Sequence, residues 1–200
     1  MGIPVLILGE SGSGKSTSLR NFEPGEVLVF NVANKPLPFR KKLDVVNNSG
    51  YIKIFEEFKN PRYKKYVIDD SQYLLVFEMF AKAKETGYQK FTDMALHFYN
   101  LLKRVRDDLP PEVIVYFLHH TDTVEGKTKA KTIGKMLDEK LSIEGLFSIV
   151  LMAFNDGVNY KFATQTDGYN TVKSPLEMFQ KEIDNDLKMV DETIRNYYEL

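Results

Sequence analysis

Short apolar runs alternate along this chain with longer stretches in which apolar residues recur every three or four positions. Ile3 to Leu8 reads as a buried strand, and Lys15 to Asn21 as a helix that opens directly on a glycine-rich turn. Glu26 to Val32 (EVLVFNV), Tyr51 to Phe55 (YIKIF) and Lys65 to Asp69 (KYVID) read as the second, third and fourth strands. Continuous Val/Ile/Leu runs of this kind suit a parallel sheet covered on both faces. Two helices follow. The first runs from about Ser71, a candidate N-cap, to Thr86, with Gly87 at its exit. The second runs from about Thr92 to Asp108, with Met94, Phe98, Leu101, Leu102 and Val105 on one stripe, and Pro110 and Pro111 stop it.

Glu112 to Leu118 (EVIVYFL) reads as a fifth strand that runs into His119-His120-Thr121-Asp122. The lysine-rich segment from Asp122 to Lys135 is expected to be a surface loop or ribbon, followed by a short helix over Lys135 to Leu141. Leu146 to Phe154 and Val158 to Thr166 read as strands flanking the turn Asn155-Asp156-Gly157. Ile183, Leu187, Val190 and Ile194 stand at helical spacing and predict an amphipathic helix over about 180–198. Strands alternating with helices and then a hairpin predict an α/β fold. The expected architecture is a mostly parallel sheet with helices on both faces and an antiparallel hairpin near the C-terminus, in one domain over residues 1–200.

Composition narrows the function more than the fold. Hydrophobic residues make up 43% of the chain, enough for a core, and the formal net charge is only -1. Charges so nearly balanced create no global field for nucleic acid or membrane, so any anion site has to be local. There is no cysteine, which excludes a disulfide framework and a zinc–thiolate site and agrees with a reducing compartment. No long uncharged apolar run or leader pattern is present. The expectation is a soluble cytoplasmic protein.

The turn after the first strand carries the chemistry. Gly9-Glu10-Ser11-Gly12-Ser13-Gly14-Lys15-Ser16 matches the phosphate-binding pattern G-x-x-x-x-G-K-[ST]. Glycine lets a backbone curl through φ > 0 and approach phosphate oxygens without a Cβ, and successive N–H groups then form an anion nest. Lys15 is placed to reach the outer phosphates of ATP, and the Ser16 hydroxyl to ligate Mg²⁺. Tyr66 to Asp70 (YVIDD) ends an apolar strand in two acids, where Asp69 suits Mg²⁺ through its water shell. Asp70 is the best candidate to orient or deprotonate an attacking water, with Glu10 second. Only one of His119 and His120 can face such a site, and His120 is the one assigned there, as a sensor of the terminal phosphate.

Seven blocks, LILGESGSGKSTSLRNF, NKPLPFRKK, YVIDDSQYL, KFTDMALHFYNLL, VYFLHHTD, KAKTIGKMLDEKL and TDGYNTVKSPLEMF, taken in this order, resemble the small phage-encoded ATPases of the RecA-like recombination group. The similarity covers essentially the whole chain. It implies a P-loop NTPase with a RecA-like core that couples ATP to single-stranded DNA binding, pairing or annealing in the host cytoplasm. It also implies a homo-oligomer working beside a phage single-strand-binding protein. Nucleotide contacts carry over to Gly9, Gly14, Lys15, Ser16 and Thr17, and Mg²⁺ to Asp69. In one respect the chain departs from that pattern. Many RecA-like enzymes have a catalytic glutamate near the end of an early strand, whereas VFNVANK offers Asn31 and Asn34 but no acid.

In that group the loop after the sensor strand meets DNA or a neighbouring subunit. The corresponding lysines here are Lys127, Lys129, Lys131 and Lys135, able to track a phosphate backbone or act in trans. A second basic cluster, Lys35, Arg40, Lys41 and Lys42, has the same reading, and Phe39 or Tyr88 is available to stack on bases. Two other functions fit the same motifs: a nucleotide or small-molecule kinase, against which the scattered arginines argue, and a nucleotide-gated assembly protein with little turnover.

Overall fold

Strand β1 (Ile3–Gly9) lies inside the sheet, and its alternating side chains feed two separate apolar layers. Leu6 and Leu8 point to one layer, Val5 and Ile7 to the other. The same period-two division holds along β2 (Leu28–Asn31), β4 (Lys65–Asp69), β5 (Ile114–Val124) and β7 (Ile149–Asn155). Strands buried on both faces need apolar residues at every position, which is why their sequences read as continuous runs. The computed structural model describes residues 1–133 and 142–200.

Among the described residues the sheet has nine strands, in the order β3-β2-β4-β5-β1-β7-β8-β9 with β6 paired to β5. From β3 (Asp44–Asn47) to β7 neighbouring strands are parallel. Strands β8 (Tyr160–Ala163) and β9 (Glu182–Asp184) then continue the sheet in antiparallel pairing. Helices α1 (Tyr51–Glu57), α2 (Gln72–Ala81) and α3 (Gln89–Asp108) cover one face, through Ile54, Leu74, Leu75, Phe98 and Leu102. The other face carries a short 3-10 helix at Ser16–Asn21 and α4 (Leu187–Tyr198), through Leu19, Leu187, Val190 and Ile194. The chain is an α/β protein with a mostly parallel sheet, compatible with a Rossmann-like or P-loop fold. Among the described residues no helix is long and apolar enough to cross a membrane.

Several expected elements differ. The expected third strand, Tyr51 to Phe55, is the start of α1, and β3 comes instead from Asp44–Asn47. Tyr51, Ile54, Phe55 and Phe58 recur at helical spacing and face the core, whereas Ile52, which a strand would have buried with Ile54, is 75% exposed. The helix expected over Lys15 to Asn21 forms over Ser16–Asn21, as a 3-10 helix. Helix α2 ends at Ala81, short of Thr86, and Ser71 turns to β5 rather than capping it, its N–H donating to the Leu118 carbonyl and its hydroxyl bonding to His119. Helix α3 begins three residues ahead of Thr92, at Gln89.

Of the loop or ribbon expected from Asp122, the ribbon forms: β5 extends and folds back through Glu125-Gly126 into β6 (Lys127–Ala130). The helix expected over Lys135 to Leu141 falls outside the described residues. At the C-terminus Ile183 belongs to β9, and α4 starts only at Leu187, where Asp186 caps it by accepting from the N–H groups of Lys188 and Met189. The hairpin around Asn155-Asp156-Gly157 forms as expected, between β7 and β8.

Helix α4 is tied down by a buried polar group. Asp191 is fully buried and accepts from the Tyr116 hydroxyl at 2.8 Å and from Arg195 Nε at 2.7 Å. Arg195 also donates to the Glu112 and Lys64 carbonyls, just ahead of β5 and β4. A buried carboxylate paired and fully hydrogen-bonded in this way is tolerated, whereas an unpaired one is not.

Candidate functional site

The loop from Gly9 to Ser16 sits at the carboxyl end of β1, where ligands of open parallel sheets gather. Its glycines are required by position. Gly12 and Gly14 adopt φ of +80° and +95°, and a Cβ on Gly14 would lie 2.7 Å from the Tyr160 ring. A Cβ on Gly9 would strike the Ser13 hydroxyl and come within 2.9 Å of the Ala153 carbonyl. The buried Ser13 Oγ has no hydrogen-bond partner. The loop is a close-packed cradle whose shape depends on missing side chains.

Above it opens a pocket of about 340 Å³. Ser11, Gly12, Gly14, Lys15, Ser16 and Thr17 form its floor, Asp69, Asp70 and His120 one wall, and Lys35, Pro36, Pro38 and Tyr160 the remainder. The residues expected to share a site therefore converge, although they come from three separate strand ends. The convergence follows from strand order: β5 lies between β1 and β4, and Gly9 stands level with His120. Glu10 lines an adjoining cavity with Ser11, Lys35, Gln72, Tyr73 and His120.

Lys15 is 5% exposed and donates to the carbonyls of Gly9 and Glu10, each at 2.8 Å. Burial draws its pKa down to about 8, against the attraction of Asp70 and Asp69. Ser16 Oγ donates to Asp69 Oδ1 at 2.8 Å, closing the loop onto the end of β4. Burial first, and then the neighbouring Asp70 charge, raises Asp69 to about 6 despite that hydrogen bond. Asp70 behaves differently although it is the next residue. Burial alone would raise it, but hydrogen bonds from His120 and Lys35 outweigh that effect and hold it at about 2. Its contacts are His120 Nε2 to Oδ1 at 3.0 Å and Lys35 Nζ to Oδ2 at 2.7 Å. Asp70 also sits at φ +61°, a conformation uncommon for a residue with a Cβ.

The two histidines part company at the end of β5. His120 faces the pocket. His119 is fully buried against Phe98, with Nε2 2.8 Å from the Lys131 carbonyl and Nδ1 2.9 Å from Ser71 Oγ. The carbonyl can only accept, so Nε2 carries the proton and Nδ1 accepts from Ser71. Burial lowers the His119 pKa to about 4.

The lysine-rich ribbon borders the same region. Lys131 and Thr121, Asp122 and Thr123 line the adjoining cavity, and the Lys131 N–H bonds to the His120 carbonyl at 2.9 Å. In the β5–β6 register Lys129 stands opposite Asp122, and Lys127 opposite Val124. Lys127 and Lys131 are exposed, while Lys135 falls outside the described residues.

Two contributors escaped the sequence reading. Lys35, grouped there with a basic surface cluster, belongs to the pocket wall. Tyr160, on the β7–β8 hairpin, packs on Gly14 and lines the pocket. A lone tyrosine after a turn carries no signal of this, because only the antiparallel pairing of β8 to β7 brings it to the loop. Phe39 packs against the apolar layer beside β2, and Tyr88 is exposed ahead of α3, so neither lines this pocket.

The donor set can be tested for a metal. Ser16 and Asp69 present a hydroxyl and a carboxylate to one space, both hard oxygen ligands of the kind Mg²⁺ accepts. Among the described residues no group of three or more His, Cys, Asp or Glu gathers to hold an ion. Mg²⁺ habitually completes its shell with water and phosphate oxygens, so the residues present fit Mg²⁺ arriving with a phosphate ligand. No protein-family model matches the chain, and no curated protein matches it.

Proposed function

We propose that this chain is a P-loop ATPase with a RecA-like core, binding Mg-ATP and hydrolysing it in phage DNA recombination or single-strand annealing. The observation that carries the nucleotide reading is the Ser16–Asp69 hydrogen bond. It joins, across 53 residues of sequence, the two groups a P-loop protein uses to hold Mg²⁺, directly beside Lys15. Strand order supports it too, since β5 between β1 and β4 lets the loop, the acid pair and His120 share one pocket.

Each side chain then has a role. Loop N–H groups and Lys15 bind the phosphates, with Lys15 giving up its own loop carbonyls to do so. Ser16 and Asp69 hold Mg²⁺, which when bound neutralises charge on the outer phosphate oxygens. Asp70 stays ionised and, aligned by His120, accepts a hydrogen bond from the attacking water and orients it. The DNA part of the proposal rests on the resemblance to recombination ATPases and on Lys131, at the end of the ribbon, which lines the cavity adjoining the pocket. Single-stranded DNA is the proposed partner, with a homo-oligomer and a phage single-strand-binding protein as further members of the assembly.

The test is phosphate release measured with and without single-stranded DNA at low salt, beside Lys15→Ala. We expect Mg²⁺-dependent turnover that rises with DNA and falls on the order of 100-fold in Lys15→Ala. Turnover indifferent to DNA would remove the recombination role. Transfer of phosphate to a nucleoside monophosphate would replace the hydrolase reading with a kinase.

A further inference from the structure

We infer that Lys35 is a second phosphate-binding lysine, exchanging Asp70 for the terminal phosphate when a nucleoside triphosphate enters the pocket. The inference rests on the nucleotide reading above and deepens it by naming the group that distinguishes a triphosphate from a diphosphate.

The backbone that presents Lys35 is unusually well held. Asn31, at the end of β2, is 5% exposed, and its side-chain amide clasps Lys35 at both ends. Nδ2 donates to the Lys35 carbonyl at 2.7 Å, and Oδ1 accepts from the Lys35 N–H at 3.2 Å. Nδ2 also donates to Asn47 Oδ1 at 2.9 Å, so the clasp is anchored to the neighbouring strand. Asn34 turns the chain through φ +55°, and Pro36 and Pro38 line the pocket immediately afterwards. Proline fixes φ, so the segment cannot easily swing away. Asn31 thus positions a lysine at the end of β2.

The side chain, in contrast, reaches into solvent. Lys35 is 59% exposed along its side chain, with Nζ 2.7 Å from Asp70 Oδ2 and 5.1 Å from the Tyr73 ring centroid. A half-exposed ion pair contributes little to stability, so the clasp is out of proportion to a structural role. When Lys35 leaves Oδ2, Asp70 keeps the His120 hydrogen bond to its other oxygen. Lys35 lines both the main pocket and the adjoining cavity, and shares the main pocket with Lys15. The loop and Lys15 are suited to the β- and γ-phosphates, and Lys35, on the same pocket, is a second cation for the terminal one. A phosphate carries more charge and more acceptor oxygens than the single carboxylate oxygen it replaces, which favours the exchange.

The experiment is calorimetric binding of Mg-ADP and of the Mg complex of a β,γ-imido ATP analogue to wild type, Lys35→Ala, Lys35→Arg and Asp70→Asn. Lys35→Ala should weaken the triphosphate analogue by about 10-fold or more while ADP affinity stays within about twofold. Lys35→Arg should keep most of the preference. Asp70→Asn, which removes the competing carboxylate, should raise the triphosphate-to-diphosphate ratio, and that gain should vanish when Lys35 is also alanine. Loss of both ligands in equal measure, or of neither, in Lys35→Ala overturns the inference while leaving the nucleotide reading intact. Wild type that binds neither ligand overturns the nucleotide reading and this inference together.

Discussion

In the loop at residues 9–16 the backbone lines the pocket, and residue types follow from that. Gly14 is glycine because a ring packs on it and φ is +95°; Gly9 is glycine because Ser13 and the Ala153 carbonyl occupy the space of a Cβ. In the β5–β6 ribbon the division is reversed. Its backbone is consumed by strand pairing and by the bonds of Lys131 to His119 and His120, while its lysines stand on the outside. A motif whose function is carried by main chain leaves a sharp trace in sequence, because few residues permit the shape. A segment that only presents surface charge leaves a diffuse one, since any solvated turn can be rich in lysine.

This contrast can be broken at its strongest point. Gly14→Ala combines an unfavourable φ with overlap of the Tyr160 ring, and should cost about 3 kcal/mol in denaturant unfolding. Nucleotide binding should be lost with it. Retained binding would mean that the loop shape is not what holds the phosphates.

The ribbon's attachment offers a second test, through pH. His119 is held at about 4, below the ordinary value of 6.5, so the unfolded chain takes up a proton first as pH falls. Its contribution is therefore complete above about pH 6.5 and is lost as pH drops towards 4, an effect of about 3 kcal/mol. Chemical denaturation of wild type and His119→Asn across that range should show the extra decline in wild type only. Parallel curves would show that His119 does not couple the ribbon to the strand end.

The smallest expected effect is the most pointed comparison. Gly126, in the ribbon turn, has φ +76° but nothing within 4 Å of an added Cβ. Gly126→Ala should cost about 1 kcal/mol, from conformation alone, and leave nucleotide affinity unchanged. A loss of binding comparable to that of Gly14→Ala would place the ribbon turn inside the phosphate site.

Much of the architecture was legible in the sequence. Strands buried on both faces announce themselves as unbroken apolar runs, so β1, β2, β4, β5 and β7 were found from composition over a few residues. The stretch YIKIFEEF misled because its first five residues read as a short apolar run while the full eight recur at helical spacing; only the packing of Ile54 and Phe58 decides for α1. Ile183 misled for the converse reason, as it is in phase with α4 yet belongs to the strand before the Asp186 cap.

For the site, the sequence by itself determined the glycine loop, Lys15, Ser16 and the acid pair, since each is fixed by local geometry or by its place at a strand end. It also required that His119 and His120 face opposite ways, because side chains alternate along a strand. Tertiary structure alone decided what those groups touch. Strand order set Asp69 against Ser16 and gave Asp70 to His120 and Lys35 instead, so adjacent carboxylates are pushed in opposite directions, to about 6 and about 2. The Asn31 clasp moved Lys35 from a surface cluster to the pocket wall, and the pairing of β8 to β7 laid Tyr160 on Gly14. Contacts between residues far apart in the chain depend on which strands neighbour one another, and no local pattern encodes that.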